Sequence, residues 1–455
     1  NKRNMKNNNT IPKPINEPIK SYAPGSPEKT SLKNCIQDLK SKTIEVPLII
    51  GGEEIKSNNL SEMYVPHDHQ HVLGNYHKAG LKEVNMAIEA SLKAWENWSK
   101  TSIEERAKIF LKAADLLAGP WRDTVNAATM LNMSKNVYQA EIDSACELID
   151  FFRFNAWYAQ ELTKHQPMYS PEGMKNSLEL RSLEGFIFAV SPFNFASIGG
   201  NLPCAPAMMG NVALWKPASS AVYPAYFIMQ LLIEAGLPKG VINFIPGSGR
   251  DVGPNVISDS NLAGVHFTGS TNVFQGMWKT IGENIANYKS YPRIVGETGG
   301  KDFCIAHESA DIDALSTAMV RGAFEYQGQK CSAASRVYLP ESIGDDILSE
   351  VKKQLDTVKI GPPSDFKNYI NAVIHEDAFD RIVKSIERVK SDIDAKIFHG
   401  GKYDKSVGYF ISPTVVTTSN PNYFSMEQEL FGTLTMATDC LLYTSDAADD
   451  SLRVD

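Results

Sequence analysis

From Gly185 onward the chain alternates short apolar runs with longer stretches whose apolar positions recur every three or four residues. The runs at 185–190, 212–215, 241–245, 262–267 and 293–295 predict strands. The stretches at 198–209, 221–235 and 271–287 predict helices, with a shorter helical piece before Ser258. Apolar strands alternating with helices predict a parallel sheet covered on both faces, and such sheets bind ligands beyond the carboxyl ends of their strands.

Upstream, helical periodicity covers 81–98, 102–118 and 141–162. Ser102 with Glu105 three residues on is a capping box, and Gly119-Pro120 stops that helix. The aromatics of the third helix, Phe151 to Tyr158, read as packing. Residues 46–50 with Gly51-Gly52 predict a strand and turn, and the proline-bearing stretch 11–44 predicts an extended arm. Residues 168–181, with Pro171, Glu172 and Gly173 between polar flanks, predict an exposed hairpin. Downstream, strands at 303–305, 336–339, 396–398 and 415–416 and helices at 315–326, 345–355 and 376–389 predict a second α/β domain, joined to the first near Gly299-Gly300.

At 455 residues the chain is long for one core. The expected division is an extension at 1–44, a dinucleotide-binding domain at 45–298 and a second domain at 299–439. A net charge of −8 argues against a nucleic-acid surface. No apolar run is long enough to span a bilayer. Six cysteines lack disulfide or metal spacing, so no metal site is expected. The start, 1–10, is Asn- and Lys-rich and reads as translated leader or the end of a mitochondrial presequence. The tail, 440–455, is Asp/Ala/Ser-rich without periodicity and reads as foreign sequence.

Five loops carry candidate chemistry. Gln327-Gly-Gln-Lys-Cys331-Ser332 places a cysteine beside a lysine between a helix and a strand, where a thiolate nucleophile fits; a buried packing cysteine fits the same window. Asn194, in Ser191-Pro-Phe-Asn-Phe195, is an oxyanion donor or a turn former. Lys216, in Trp215-Lys-Pro-Ala-Ser219, reaches ribose or phosphate, or solvent. Phe267-Thr-Gly269-Ser270 opens a helix and suits a pyrophosphate, although it is not G-x-G-x-x-G. Glu297, in Glu297-Thr-Gly-Gly-Lys301, is a general base or an ordinary surface carboxylate.

In order and spacing these loops, with Glu429-Leu-Phe431-Gly432, resemble the motifs of the aldehyde dehydrogenase superfamily over roughly 15–436. Gln139-Ala-Glu141-Ile-Asp, Leu148 to Asn155 and Phe324 to Ser332 are similar to its branch acting on glutamate γ-semialdehyde. The resemblance implies an α/β fold of two doubly wound parallel-sheet domains, one for the cofactor and one catalytic, with a β-hairpin oligomerisation arm at 166–184. It also implies NAD-dependent oxidation of L-glutamate γ-semialdehyde, a small-molecule substrate, to glutamate in proline catabolism. Cys331 is then the nucleophile, Asn194 with the Cys331 N–H the oxyanion hole, and Glu297 the base for thioester hydrolysis. Lys216, Ser219, Gly269, Ser270, Glu429 and Phe431 would hold NAD, and Glu141, Phe195 and Ser332 would line the substrate pocket.

The implied protein is a homo-oligomer, dimer or higher, in the mitochondrial matrix or the cytoplasm, with no nucleic-acid or membrane partner. Thr433 replaces the family's usual proline, and the family continues past this point with the loop that grips the substrate's amino-acid end. A chain ending here is therefore expected to turn over poorly. A CoA-acylating relative would not need Glu297, and a structural relative would not need Cys331, Asn194 and Glu297 together.

Overall fold

The computed structural model describes residues 11–439, so the expectations for 1–10 and 440–455 lie outside the described residues. The chain divides into two compact units, Asn1–Val65 with His71–Met133 and Val137–Thr298, and Pro66–Gln70 with Ser134–Asn136 and Gly299–Asp455.

The first unit opens with a correction. Part of the expected extended arm is a helix, α1 (Pro27–Lys40). Ser26 accepts from the Lys29 N–H, Pro27 starts the helix and Glu28 lies in its first turn, which together form a start signal. Leu32 and Ile36 are buried, worth about 1.5–3 kcal/mol each. The strand expected at 46–50 is two, β1 (Ile44–Val46) and β2 (Leu48–Ile50), divided at Pro47. β2 pairs antiparallel with β3 (Glu53–Ile55) across Gly51 and Gly52, both left-handed. β1 joins β4 (Leu60–Val65) and β5 (Asp68–His77) in a small sheet. Helices α2 (Leu81–Trp98), α3 (Ile103–Ala118), α4 (Arg122–Met133) and α5 (Val137–Ala140) follow, and a π-helical turn at Glu141–Cys146 leads into α6 (Glu147–Leu162).

The large sheet comes next, as β6 (Phe186–Val190), α7 (Ala196–Met208), β7 (Val212–Lys216), α8 (Val222–Ala235), β8 (Ile242–Phe244), α9 (Gly249–Ile257), β9 (Leu262–Thr268), α10 (Thr271–Glu283) and β10 (Arg293–Glu297). Its strand order is β10-β9-β6-β7-β8-β2-β3, and β6 to β10 run parallel. Counted along the chain, those five stand 3-2-1-4-5, the doubly wound arrangement whose ligand crevice lies where the winding reverses. Here that point is between β6 and β9. Inside α7, Pro206 has no N–H for the Leu202 carbonyl, and the His266 Nδ1 of β9 lies 2.9 Å from that oxygen.

The expected hairpin at 166–184 forms no ladder of its own. It turns back at 171–174 and is held by Gln166, whose amide donates to the Leu178 carbonyl and accepts from the Leu178 N–H. Met168, Tyr169 and Met174 on it are exposed.

The second unit contains β11 (Phe303–Ile305), α11 (Ile312–Phe324), β12 (Arg336–Leu339), α12 (Glu341–Thr357), α13 (Glu376–Ser391), β13 (Ala395–His399), the short pair β14 (Tyr403–Asp404) and β15 (Phe410–Ile411), β16 (Thr414–Thr418) and β17 (Leu434–Asp439). Its sheet, β11-β12-β17-β16-β13, is parallel except for the antiparallel edge strand β13. Val337, Val415 and Ala437 pack under Met319, Phe324 and Ile347.

Candidate active site

In the first unit, the loops at the carboxyl ends of β6, β7, β9 and β10 carry the expected residues. After β6, Asn194 is buried and the partly buried Phe195 caps α7 backbone-first, without a side-chain bond. This loop is fastened to β7, since the Ser191 N–H donates to the Lys216 carbonyl at 3.1 Å and the Trp215 indole N–H to Ser191 Oγ at 3.0 Å. Lys216 ends β7 with its Nζ donating to the Pro217 carbonyl at 3.2 Å, and burial pulls its ammonium down to about 8. Ser219 is exposed nearby in the chain, its Oγ 3.5 Å from the Gly247 carbonyl.

After β9, the Gly269 N–H donates to the Glu297 carbonyl at 3.1 Å, bringing the ends of β9 and β10 together. Ser270 is the exposed N-cap of α10, yet its hydroxyl makes no capping bond. A helix N-terminus with an uncommitted hydroxyl suits an anionic group such as a pyrophosphate. Glu297 ends β10 and is exposed.

In the second unit, Cys331 is partly exposed and lines a cleft with Gly300, Lys301, Gly328, Glu429 and Phe431. Helix α11, expected to run to 326, stops at Phe324, and the chain turns through left-handed Tyr326 and Gln327. Such a conformation costs about 1–2 kcal/mol per non-glycine residue. Gly328, also left-handed, lies against the Gly432 carbonyl so closely that a Cβ would collide with it. That approach fixes the 429–432 segment beside the cysteine loop. Ser332 is exposed, and Phe431 is held at φ 52°. Lys301, which the sequence reading gave no role, is pulled down to about 8 by burial and the nearby Arg336, against the attraction of Glu429. Burial raises Glu429, with the Gly300 N–H and Lys301 opposing. The other described thiols are poor nucleophiles. Burial raises Cys35, Cys204 and Cys304 and pushes Cys146 up to about 12, with Glu141 adding to the last.

Glu141, expected to line a substrate pocket, is fully buried in the first unit and surrounded by the chain's own donors. The Tyr22 hydroxyl donates to it at 2.7 Å, the Lys20 N–H and the Asn126 amide at 2.8 Å each, and Arg122 forms an ion pair with it. Burial alone would raise its pKa; these donors hold it below the usual carboxylate range. The arm residues that contribute are far away in sequence, which is why the local motif did not reveal them.

A parallel sheet wound 3-2-1-4-5 with anion-ready strand ends, and a cysteine cleft on the second α/β unit, define an oxidoreductase fold seen across one family. The family model described as "Aldehyde dehydrogenase family" matches residues 54–441, and the chain belongs to that family. Among its relatives, the mitochondrial delta-1-pyrroline-5-carboxylate dehydrogenase of Emericella nidulans is 48% identical over 425 residues, spanning 93% of this chain and 74% of the relative. The Homo sapiens protein of the same name is 44% identical over 421 residues, spanning 92% and 75%. The crystal structure of the Delta-pyrroline-5-carboxylate dehydrogenase from Mycobacterium tuberculosis bound with NAD superposes with a TM-score of 0.91 at 46% identity, covering 95% of this chain and 79% of that one. No helix among the described residues is long and apolar enough to cross a membrane, and no group of His, Cys, Asp or Glu among them could hold a metal ion.

Proposed function

We propose that this chain oxidises L-glutamate γ-semialdehyde, the open form of 1-pyrroline-5-carboxylate, to L-glutamate with NAD. The observation that carries the reading is the Cys331 cleft, where a partly exposed thiol stands beside Glu429 and Lys301 on a backbone-packed turn. The Cys331 thiolate adds to the aldehyde carbon, and the developing oxyanion is assigned to the Asn194 amide and the Cys331 N–H. NAD, when bound, supplies the hydride acceptor that converts the adduct to a thioester. Glu297 takes a proton from the water that cleaves the thioester, releasing the new carboxylate and the thiol.

The donor set of the first unit supports NAD. The α10 N-terminus with Ser270 and Gly269 suits a pyrophosphate, and Lys216 and Ser219 suit ribose hydroxyls. Glu429 and Phe431 are assigned to the nicotinamide end, and Phe195 and Ser332 to the substrate.

We also propose a mitochondrial site of action, as the names of several relatives suggest, and a homo-oligomer joined through the exposed 166–184 arm. Steady-state assays across short aldehydes test the substrate. A preference for acetaldehyde or betaine aldehyde over the semialdehyde would overturn it. Fractionation and light scattering test the other two.

A further inference from the structure

The turn ahead of Cys331 carries three consecutive left-handed residues, Tyr326 (φ 50°), Gln327 (φ 57°) and Gly328 (φ 67°). Glycine adopts that region freely, whereas tyrosine and glutamine stay there only when their surroundings hold them. The holders are identifiable within the second unit. The Gln327 amide is fully buried and engaged at both ends. Its Nε2 donates to the Ala372 carbonyl at 2.8 Å and the Ser134 carbonyl at 3.4 Å, and its Oε1 accepts from the Asn371 N–H at 3.1 Å. The buried Gln329 adds a parallel tie, its Oε1 accepting from the Ile374 N–H at 3.0 Å. The Lys135 Nζ lies 4.1 Å from the Tyr326 ring centroid, a cation–π contact that holds the first left-handed residue.

We propose that Gln327 is a positioning residue, whose amide fastens this turn to the buried segments at 134–135 and 371–374 and so sets where the Cys331 thiol stands in its cleft. The inference rests on the reading of Cys331 as the nucleophile. Gln327 touches no reacting atom and acts through the turn. The chemistry demands an amide, because one face must donate to carbonyls while the other accepts from an N–H. An ionised glutamate presents only acceptors and would set a charge against two carbonyl oxygens. A protonated glutamate restores the donor in nearly the same shape.

That difference supplies the test. Wild type, Gln327→Glu, Gln327→Met and Cys331→Ala are compared with 4-nitrophenyl acetate, which needs neither NAD nor aldehyde. The thiolate forms an S–C bond to the acetyl carbon, the ester C–O bond breaks, and nitrophenolate leaves with the electron pair. Gln327→Glu is expected to acylate at least about tenfold more slowly than wild type near about pH 8.5, with its rate relative to wild type climbing as pH falls toward about 6. Gln327→Met stays slow at every pH, and in aldehyde oxidation its kcat falls while KM moves less than about threefold.

A rate ratio for Gln327→Glu that is flat with pH, or wild-type rates in both Gln327 variants, overturns the proposal. If Gln327→Met does not fold, the pH dependence of Gln327→Glu decides alone. A Gln327→Glu protein soluble at no pH also counts against the proposal, since its protonated form keeps the two shorter contacts, one O–H to the Ala372 carbonyl and one acceptor for the Asn371 N–H. Inactive Cys331→Ala beside unaffected Gln327 variants sinks this inference and leaves the nucleophile standing, whereas an active Cys331→Ala sinks the nucleophile itself.

Discussion

The Gly300 N–H donates to the Glu429 carboxylate at 3.2 Å, and a Cβ on the neighbouring Gly299 would run into that same carboxylate. The bare Cα of Gly299 therefore lets the Glu429 carboxylate lie on the backbone. Gly299→Ala is expected to displace Glu429 and weaken turnover by roughly tenfold or more, a positioning effect. Glu429→Ala should do the same, and the double variant should be no worse than the poorer single one. Initial-rate kinetics with varied NAD check the set; additive losses would mean the two residues act apart.

Cys331→Ala is expected to abolish aldehyde oxidation and leave NAD affinity within about twofold, because the thiol makes the covalent bond and does not anchor the cofactor. Cys304→Ala should remain active, its thiol being raised by burial. Equilibrium NAD titration beside activity measures both, and the reverse pattern would reassign the nucleophile.

Removing Glu141 takes from the fully buried Arg122 one of its two ion-pair partners, leaving only Glu17, and strips the Tyr22 hydroxyl and the Asn126 amide of a buried acceptor. Glu141→Ala is expected to destabilise the protein by about 3–5 kcal/mol. The Glu141 carboxyl is held below its ordinary range, so its contribution is present above about pH 4.3 and fades as pH falls through the folded-state value. Urea midpoints should therefore show the gap between wild type and Glu141→Gln narrowing as the medium is acidified below about pH 4.3. A gap that widens would contradict the sign.

Lys216 works the other way. A lysine in the unfolded chain titrates near about 10.4, while burial brings folded Lys216 to about 8. Between those values the unfolded chain holds more protons, so stability rises with pH. Below that window both states are charged and the full penalty of the buried ammonium remains. Lys216→Met is expected to be the more stable protein near about pH 7, with the advantage shrinking toward about pH 10, while NAD binds it more weakly. Denaturation at several pH values, paired with NAD titration, decides it.

Much of this was legible because buried parallel strands read as continuous apolar runs. Phe186–Val190 and Val212–Lys216 therefore stand out against their helices, and the loops behind them carry recognisable side chains. Other parts were written in weaker signals. In α1 the proline obscured a start that Ser26 and Glu28 announce. The Tyr326–Gln327 turn was not legible, because neither residue type prefers a left-handed backbone and the groups that hold it, Ser134 and Ala372, are distant in sequence. Glu141 shows the same limit from the other side. A carboxylate in an ordinary helical window gives no sign that Lys20, Tyr22 and Arg122 will enclose it.

Pro206 leaves a gap in one helix that another element fills. Partial burial lowers the His266 pKa, and with the Leu202 carbonyl accepting, the proton of the neutral ring sits on Nδ1 while Nε2 keeps its lone pair. A missing rung in one ladder thus becomes a weld between two. The helix that begins after Asn194 and the strand that ends before Ser270 cannot drift independently, so the loops at the winding reversal keep a common frame. Any residue at 206 that brings its own N–H would give Leu202 a rival donor for the oxygen on which the half-buried imidazole is anchored.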